Sequence, residues 1–309
     1  MPPNRRPVAA RELTMHLQFS TACLHHLPLR SSFALARDLG LGGLEIALTP
    51  GLLRRGPERV QRLSEWYGIT VRSLDLTPSY RLLGEEGTIG RVAAFATALE
   101  GCIVVSLPAP PAGQADGVSG YLRLLRACGE AFGDDVALAV INAAGGGIAP
   151  PGPLDNFLQL RRIVEEWEFG YTYDTSHAGS AGWVITEPLP RMGKRLRNVR
   201  LGDFRHLPAY GHTLTAPLLP QQVQPWQLHR PPGDGVLPLR AFLRALRRRD
   251  YQGLVTIDLR ADGLRAWWLP ALRALVAGAV GFCQIAVQDQ RVPRAERIER
   301  PLSKLKNEE

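Results

Sequence analysis

Sulfur is scarce in this chain, with four cysteines and three methionines among 309 residues. Cys23, Cys102, Cys128 and Cys283 are widely spaced in apolar surroundings and form no Cys-x-x-Cys pair for zinc or redox work. They read as buried thiols rather than a disulfide framework. Long apolar runs are scarce as well: none is read as reaching the ~18 residues that cross a bilayer. The stretch from Met1 to Glu12 has two early arginines with no apolar segment directly after them, so a cytoplasmic protein without a membrane partner is expected. Also missing is a Gly-x-Gly-x-x-Gly turn after the first candidate strand, which argues against a doubly wound dinucleotide-binding sheet. Acid is the scarcer charge, 29 Asp and Glu against 37 Lys and Arg, for a formal net charge of +8 and a pI of about 9.7.

That excess invites a nucleic-acid partner, because phosphate binding needs clustered cations. The clusters have a simpler reading. Arg240, Arg244, Arg247, Arg248 and Arg249 interleave with Phe242, Leu243, Ala245 and Leu246 as the polar face of an amphipathic helix. Arg191, Lys194, Arg195 and Arg197 precede a candidate strand. Both clusters read as solvated faces, and nucleic acid is not the expected partner.

What is present is a hydrophobic fraction of 45% and an alternation of short β-rich runs with longer helical patterns. Strands are expected at 17–20, 43–47, 70–74, 103–107, 137–141, 170–174, 198–201 and 254–259. Helices are expected at 31–39, 57–67, 89–99, 119–132, 153–167, 187–194 and 238–249. Glycine-containing links such as Leu39-Gly40-Leu41-Gly42-Gly43, Tyr67-Gly68-Ile69 and Tyr251-Gln252-Gly253 suit the left-handed residue that ends a helix. Eight strands with crossovers close most naturally into an α/β (β/α)8 TIM barrel, expected over residues 16–287, with an extension at 1–15 and a tail at 288–309. A proline-rich stretch at 203–237 holds His206, Tyr210, His212, Trp226 and His229 and is long for a connector, as functional loops often are.

In such a barrel the polar residues closing each strand are the candidates for chemistry. They are Glu45, Asp75, Asn142 after Ile141, Asp174, Arg200 to Asp203, and Asp258. An acid inside Val255-Thr256-Ile257-Asp258-Leu259 is costly to bury unless it is paired or metal-bound.

Four pieces in order, Gly43-Leu44-Glu45, Tyr173-Asp174-Thr175-Ser176-His177, Val199-Arg200-Leu201-Gly202-Asp203 and Pro232-Gly233-Asp234-Gly235-Val236-Leu237-Pro238, resemble the sugar phosphate isomerase/epimerase family of xylose-isomerase-like barrels. The endonuclease IV type of DNA-repair enzyme shares that fold. The resemblance implies a divalent metal, Mn, Mg or Zn, held by a Glu on strand five, the Asp of an Asp-x-x-His motif on strand six, a His on strand seven and a Glu on strand eight. The metal would polarise a sugar carbonyl or hydroxyl. Asp174 and His177 match the motif, and Asp258 keeps a carboxylate one methylene shorter. Ile141 and Arg200 stand where the other two ligands belong, and arginine is no metal ligand. The nuclease branch's three-zinc cluster lacks its histidines, with Asp75 and Ser106 in their place.

The ligand count therefore favours a metal-free or altered site, with Asp174, His177 and Asp258 as the remaining metal donors. Glu45, His177 and Asp258 are the catalytic candidates. Arg200, Asp203, Asn142, His212 and His229 are the substrate-binding ones. Blander readings stay open: Asp174, His177 and Asp203 as turn residues, Glu45 as a structural ion-pair partner, the pair His25-His26 as rim residues, and Trp267-Trp268 as packing on the last helix. Two functions remain: an isomerase or epimerase acting on a small sugar, polyol or keto-sugar, or a non-catalytic barrel that keeps the pocket for ligand binding or protein interaction. A homo-oligomer is compatible with either.

Overall fold

The computed structural model describes residues 15–108, 117–132, 136–144, 157–205, 227–260 and 268–288. Eight parallel strands close into a barrel in sequence order, β1 (His16–Ser20), β2 (Gly43–Ala47), β3 (Thr70–Asp75), β4 (Val104–Leu107), β5 (Ala137–Ile141), β6 (Gly170–Asp174), β7 (Leu196–Leu201) and β8 (Leu254–Ile257), with β8 pairing back onto β1. The helices are α1 (Leu29–Asp38), α2 (Pro50–Arg55), α3 (Glu58–Tyr67), α4 (Thr88–Thr97), α5 (Gly117–Ala131), α6 (Phe157–Glu166), α7 (Thr175–Ser180), α8 (Leu189–Met192), α9 (Leu239–Arg247) and α10 (Leu269–Gln288). The barrel expectation holds, and three strands (β2, β5, β6) begin and end where the alternation predicts.

The period of two along each strand decides what lies inside. Phe19, Leu44, Ile46, Leu74, Val105, Val140, Tyr171, Tyr173, Val199, Leu201, Val255 and Ile257 are buried in one continuous apolar cluster with the helices. Each such side chain contributes roughly 1.5–3 kcal/mol, so the shell between strands and helices supplies most of the apolar driving force. The residues between them face inward. Only Val104, Ala139 and Leu254 form a small separate apolar cluster there. The rest of the interior is polar: Gln18 donates to Ser73 and Thr256 at 2.8 Å each, Thr256 to Asn198 at 2.9 Å, and Ser106 meets Thr172 at 2.7 Å. Buried polar groups persist only when paired, and this column is paired from strand to strand.

Helix ends follow the glycine expectation after α1 and α3, where Gly40 and Gly68 adopt φ of 67° and 64°. After α9 they do not: Asp250 takes the left-handed position at φ 50°, and a Cβ on Gly253 would lie 2.7 Å from the Arg197 carbonyl oxygen. Gly253 is thus required by close approach rather than by φ.

Two expectations are corrected at the last helix. Leu269–Ala286 is long and apolar enough, by length and composition alone, to cross a membrane, with mean hydropathy 1.6. Arg273 interrupts the run and hides it from a simple reading. Leu272, Val276, Ala279, Val280, Cys283 and Ala286 form one buried face of this helix, while Arg273 pairs with Asp38 at 3.1 Å. Trp268 precedes α10 and is 66% exposed, so it does not pack the barrel; Trp267 lies outside the described residues. The four cysteines are free and buried, as expected. On α9, Phe242, Leu243 and Leu246 are buried while Arg240, Arg247, Arg248 and Arg249 are exposed, which is the solvated face the sequence suggests.

Candidate active site

At the C-terminal end of the barrel the polar column ends in charge. Arg200, on β7, is 6% exposed and reaches across the interior. Its Nη1 lies 3.0 Å from Asp75 Oδ2, its Nη2 2.8 Å from Asp258 Oδ2, and its Nε 3.7 Å from Glu45 Oε1. Burial works against the guanidinium charge, but Asp258, Asp75 and Glu45 outweigh it and hold its pKa well above the ordinary value. Asp258 shows the reverse balance. Burial favours its neutral form, yet Arg200 and His229 keep its carboxyl far below the usual range.

Glu45 pairs in register with Ser73, two residues below Asp75, and so lies one layer deeper in the barrel. Ser73 and Asn198 donate to its Oε2 at 3.2 and 3.0 Å. Its side chain is enclosed beneath Arg200, which gives it the role of an anchor for that guanidinium rather than of a group a substrate meets. Burial, with Asp75 and Asp258 adding to it, raises its pKa from 4.5 to about 7 against the opposing pull of Arg200. A carboxyl raised in the fold stabilises it fully below pH 4.5, and that stability is lost as pH rises through about 7. The loss is on the order of 3 kcal/mol. His177 works oppositely between these pH values, so the comparison with Glu45→Gln isolates the effect: wild type is expected to lose stability relative to Glu45→Gln between pH 5 and 8 in urea unfolding. Parallel curves for the two proteins would contradict the assignment.

Above Arg200 sits a second group. Asp174 ends β6 and caps α7, its Oδ1 accepting from His177 N at 3.0 Å and from Ser176 Oγ at 2.8 Å. The capping reading is therefore correct, but it uses only one oxygen. Asp174 Oδ2 is buried without a hydrogen bond. Two imidazoles stand beside it, His177 Nε2 at 3.9 Å and His229 Nδ1 at 3.8 Å, and their rings meet edge to face at 5.1 Å. Burial alone would raise the Asp174 pKa; His177, His229 and Arg200 reverse that and lower it. Burial lowers the pKa of His177, with Asp174 opposing.

The ring tautomers follow from the partners. His177 Nδ1 lies 2.9 Å from the Asn142 carbonyl oxygen, which only accepts, so Nδ1 carries hydrogen and Nε2 keeps its lone pair. His229 Nδ1 lies 2.9 Å from Asp258 Oδ2, and the same logic leaves Nε2 with the lone pair in the neutral ring. His229 is held at φ 54°, an uncommon conformation for a residue with a side chain. Its backbone is fixed by a short antiparallel bridge, Asp203 N to Arg230 O at 2.7 Å and Arg230 N to Asp203 O at 3.0 Å. Gly202 makes room, since a Cβ there would meet the Asp258 carbonyl oxygen and the His229 Cα, both at 3.0 Å.

Several expectations are placed differently. Asn142 bonds the backbone of Asp174 through both ends of its amide, donating at 3.0 Å and accepting at 2.7 Å, and so orients the motif. Asp203 accepts from the backbone amides of Phe204, Gly233 and Leu237 at 2.8, 2.9 and 3.0 Å, which makes it a loop organiser rather than a binder. Arg200 is enclosed by carboxylates and faces no open mouth. Asp258 pairs with Arg200 and His229 instead of standing among the metal donors. His25 is exposed and His26 half-buried, both just beyond β1. His206, Tyr210, His212 and Trp226 lie outside the described residues. Asp75, a strand-end candidate with no role assigned from the sequence, and Ser176 are brought into the site. Asp75 stands at a strand end, the position where such residues are sought.

The four-position metal set that the resemblance implies does not fit, because Ile141 is an apolar wall residue and Arg200 is itself the cation. A different set does. One donor atom each from Asp174, His177 and His229 lies within 4.8 Å of the other two. The bare Asp174 oxygen and the lone-pair Nε2 of His177 are what a divalent ion needs, and His229, whose Nδ1 is engaged by Asp258, would join them through Nε2. Asp258 behind His229 and the Asn142 carbonyl behind His177 are the outer partners that fix ligand imidazoles.

Comparison with known proteins bears on this arrangement. The family model described as xylose isomerase-like TIM barrel matches residues 33–278. An uncharacterized protein of Mycobacterium leprae (strain TN) is 26% identical over 271 residues, covering 80% of this chain and 89% of that one. Among solved structures, the D-allulose 3-epimerase from Methylomonas sp. in complex with D-allulose aligns with TM-score 0.63 at 14% identity, over 87% of this chain and 96% of that one. The 3-keto-D-glucoside 4-epimerase from E. coli aligns with TM-score 0.59 at 16% identity, over 86% and 99%. A probable 3-DHS dehydratase from Bacillus anthracis aligns with TM-score 0.61 at 10% identity, over 89% and 100%. At such identities these likenesses speak to the fold alone.

Proposed function

Since the chain belongs to the xylose isomerase-like TIM barrel family, we propose that it is an isomerase- or epimerase-type enzyme that moves a proton on a small sugar, polyol or keto-sugar at the C-terminal mouth of the barrel. The observation that carries this reading is the convergence of Asp174, His177 and His229 around one unsatisfied carboxylate oxygen, next to a cage whose carboxyl groups are already engaged by Arg200. Those three residues would hold one divalent ion, manganese or zinc suiting two imidazoles and a carboxylate better than magnesium. Such an ion supplies Lewis-acid polarisation of a carbonyl or hydroxyl.

The chain's own groups do the rest. Asn142 and Asp258 set the tautomers of His177 and His229, so that both present lone pairs. Without an ion, Asp174 Oδ2 and His177 Nε2 are the acceptors available to a substrate proton; with one bound, their lone pairs would be committed to it, and His177, with a side chain 20% exposed, is the member of the group nearest solvent. Arg200 keeps Asp258 ionised, which keeps His229 oriented. The two D-sugar epimerases named above support a carbohydrate-like substrate. The test is solvent-deuterium incorporation: a panel of ketoses, aldoses and keto-sugars incubated with the protein in D2O, with and without manganese or zinc, then read by mass spectrometry. Incorporation into at least one of them is expected. No incorporation across the panel, with no metal bound, would favour the non-catalytic barrel, a reading that Ile141 and Arg200 keep alive.

A further inference from the structure

The two basic clusters that the proposed chemistry leaves unused meet at the other end of the barrel. A cavity of about 870 Å³ lies among the N-terminal ends of the strands, lined by the first residues of β4, β5 and β7 and by Gly253 just before β8. Lys194 and Arg197 reach it from one cluster, Arg248 and Arg249 from the other. All four are exposed, and none has a side-chain hydrogen bond or ion-pair partner among the described residues. One acid, the exposed Asp250, shares the lining. Four cations against one carboxylate leave the cavity strongly positive.

Its floor is apolar, with Ile103, Leu189, Leu196 and Leu246 beside the Tyr251 ring. Ile103, just before β4, is 44% exposed and adds apolar surface to the lining. The volume falls within the roughly 300–1,000 Å³ of pockets that enclose organic ligands. A plain dipole reading explains part of this, because Arg248 and Arg249 follow the C-terminus of α9, where cations are favoured. It does not explain Arg197, which lies on a strand, nor the apolar floor.

The chain's own ends do not complement the charge. His16 N bonds the carbonyl oxygen of Gly253, a lining residue, at 3.2 Å. Residues 1–14 carry Arg5, Arg6 and Arg11 against the single acid Glu12, and residues 289–309 carry six basic against five acidic side chains.

We propose that this cavity is a binding site for a small organic phosphate with an apolar part, of the nucleotide class, separate from the Asp174 pocket. The guanidinium groups take the phosphate oxygens in the bidentate way that arginine favours, and the apolar floor takes the base. The test is isothermal titration of the full-length chain with ATP, with pyrophosphate and with a dodecamer of thymidylate. ATP is expected to bind once per chain, at least tenfold tighter than pyrophosphate and tighter than the oligonucleotide. Arg197→Ser combined with Arg249→Ser is expected to weaken ATP at least tenfold with the ligand-free melting temperature unchanged, both residues being exposed. Arg240→Ser, on α9 but stacked over Phe282 at 4.7 Å and outside the cavity lining, is expected to leave binding unchanged. The proposal is overturned by absence of saturable ATP binding, by equal affinity for pyrophosphate, or by an unaffected double variant. Tighter oligonucleotide binding that Arg240→Ser also weakens would overturn it too, and would mark a general polyanion-attracting face.

Discussion

Arg200→Met is expected to cost about 3–5 kcal/mol of unfolding free energy, a large share of the roughly 5–15 kcal/mol that holds a domain of ordinary stability. The reason is the number of groups that depend on one guanidinium. Asp75, Asp258 and Glu45 are all essentially buried and all face it. Removing the cation leaves three carboxyl groups in the barrel with only serine, threonine, asparagine and histidine partners, and a buried carboxylate without a cation is among the costliest things a fold can contain. Arg200→Lys keeps the charge but loses the fork that bridges Asp75 and Asp258 at once, so an intermediate loss is expected. Neutralising the cage along with the cation, as in Arg200→Met with Asp75→Asn and Asp258→Asn, is expected to recover much of the loss, since isosteric removal of all partners avoids uncompensated charge. Urea unfolding of the series, followed by circular dichroism, checks this. A single Arg200→Met within about 1 kcal/mol of wild type would mean that the cage is not organised by Arg200.

Asp174→Asn is expected to leave the fold standing and remove the chemistry. The oxygen that caps α7 and accepts from Ser176 has an equivalent in asparagine, so the hydrogen bonds to His177 N and Ser176 Oγ survive. The other oxygen becomes an amide nitrogen with no lone pair to offer. The two imidazoles then face a donor instead of an acceptor, and the Asp174–His177–His229 group loses its anion. Deuterium incorporation is expected to fall by at least about a hundredfold, while stability changes by no more than about 1 kcal/mol. Retained incorporation would move the reacting centre away from β6. A fall in stability matching the fall in activity would make Asp174 a cap and nothing more.

The barrel was legible because its inward and outward faces alternate strictly. Gly43–Ala47, Ala137–Ile141 and Gly170–Asp174 announce themselves by length and pattern, and closure follows from eight such runs with helical crossovers. The same alternation carries a second signal. Gln18, Ser73, Asn198 and Thr256 are polar residues at inward positions of otherwise apolar strands, and together they mark a polar core under the site. The site itself was half legible. Asp174 and His177 stand out as a motif, but a search for ligands strand by strand looks for the third donor on β7, where it meets Arg200. The donor instead comes from beyond the strand, on His229, brought back by a bridge and a left-handed residue that no spacing rule predicts. Asn142 and Asp203 show the opposite error: polar residues at strand ends look like binders, and only the hydrogen-bond accounting shows that their atoms are already used by backbone. Asp75 was visible, but its pairing with a residue four strands away is a tertiary fact.

The central claim is that a guanidinium occupies the cage formed by Glu45, Asp75 and Asp258, and that any resident ion belongs one layer higher. Anomalous scattering from crystals grown with manganese tests this most directly. The account predicts a single peak among Asp174, His177 and His229, absent in Asp174→Asn crystals, with Arg200 still bonded to Asp75 and Asp258. A peak between Glu45, Asp75 and Asp258, with the Arg200 side chain displaced, would contradict it.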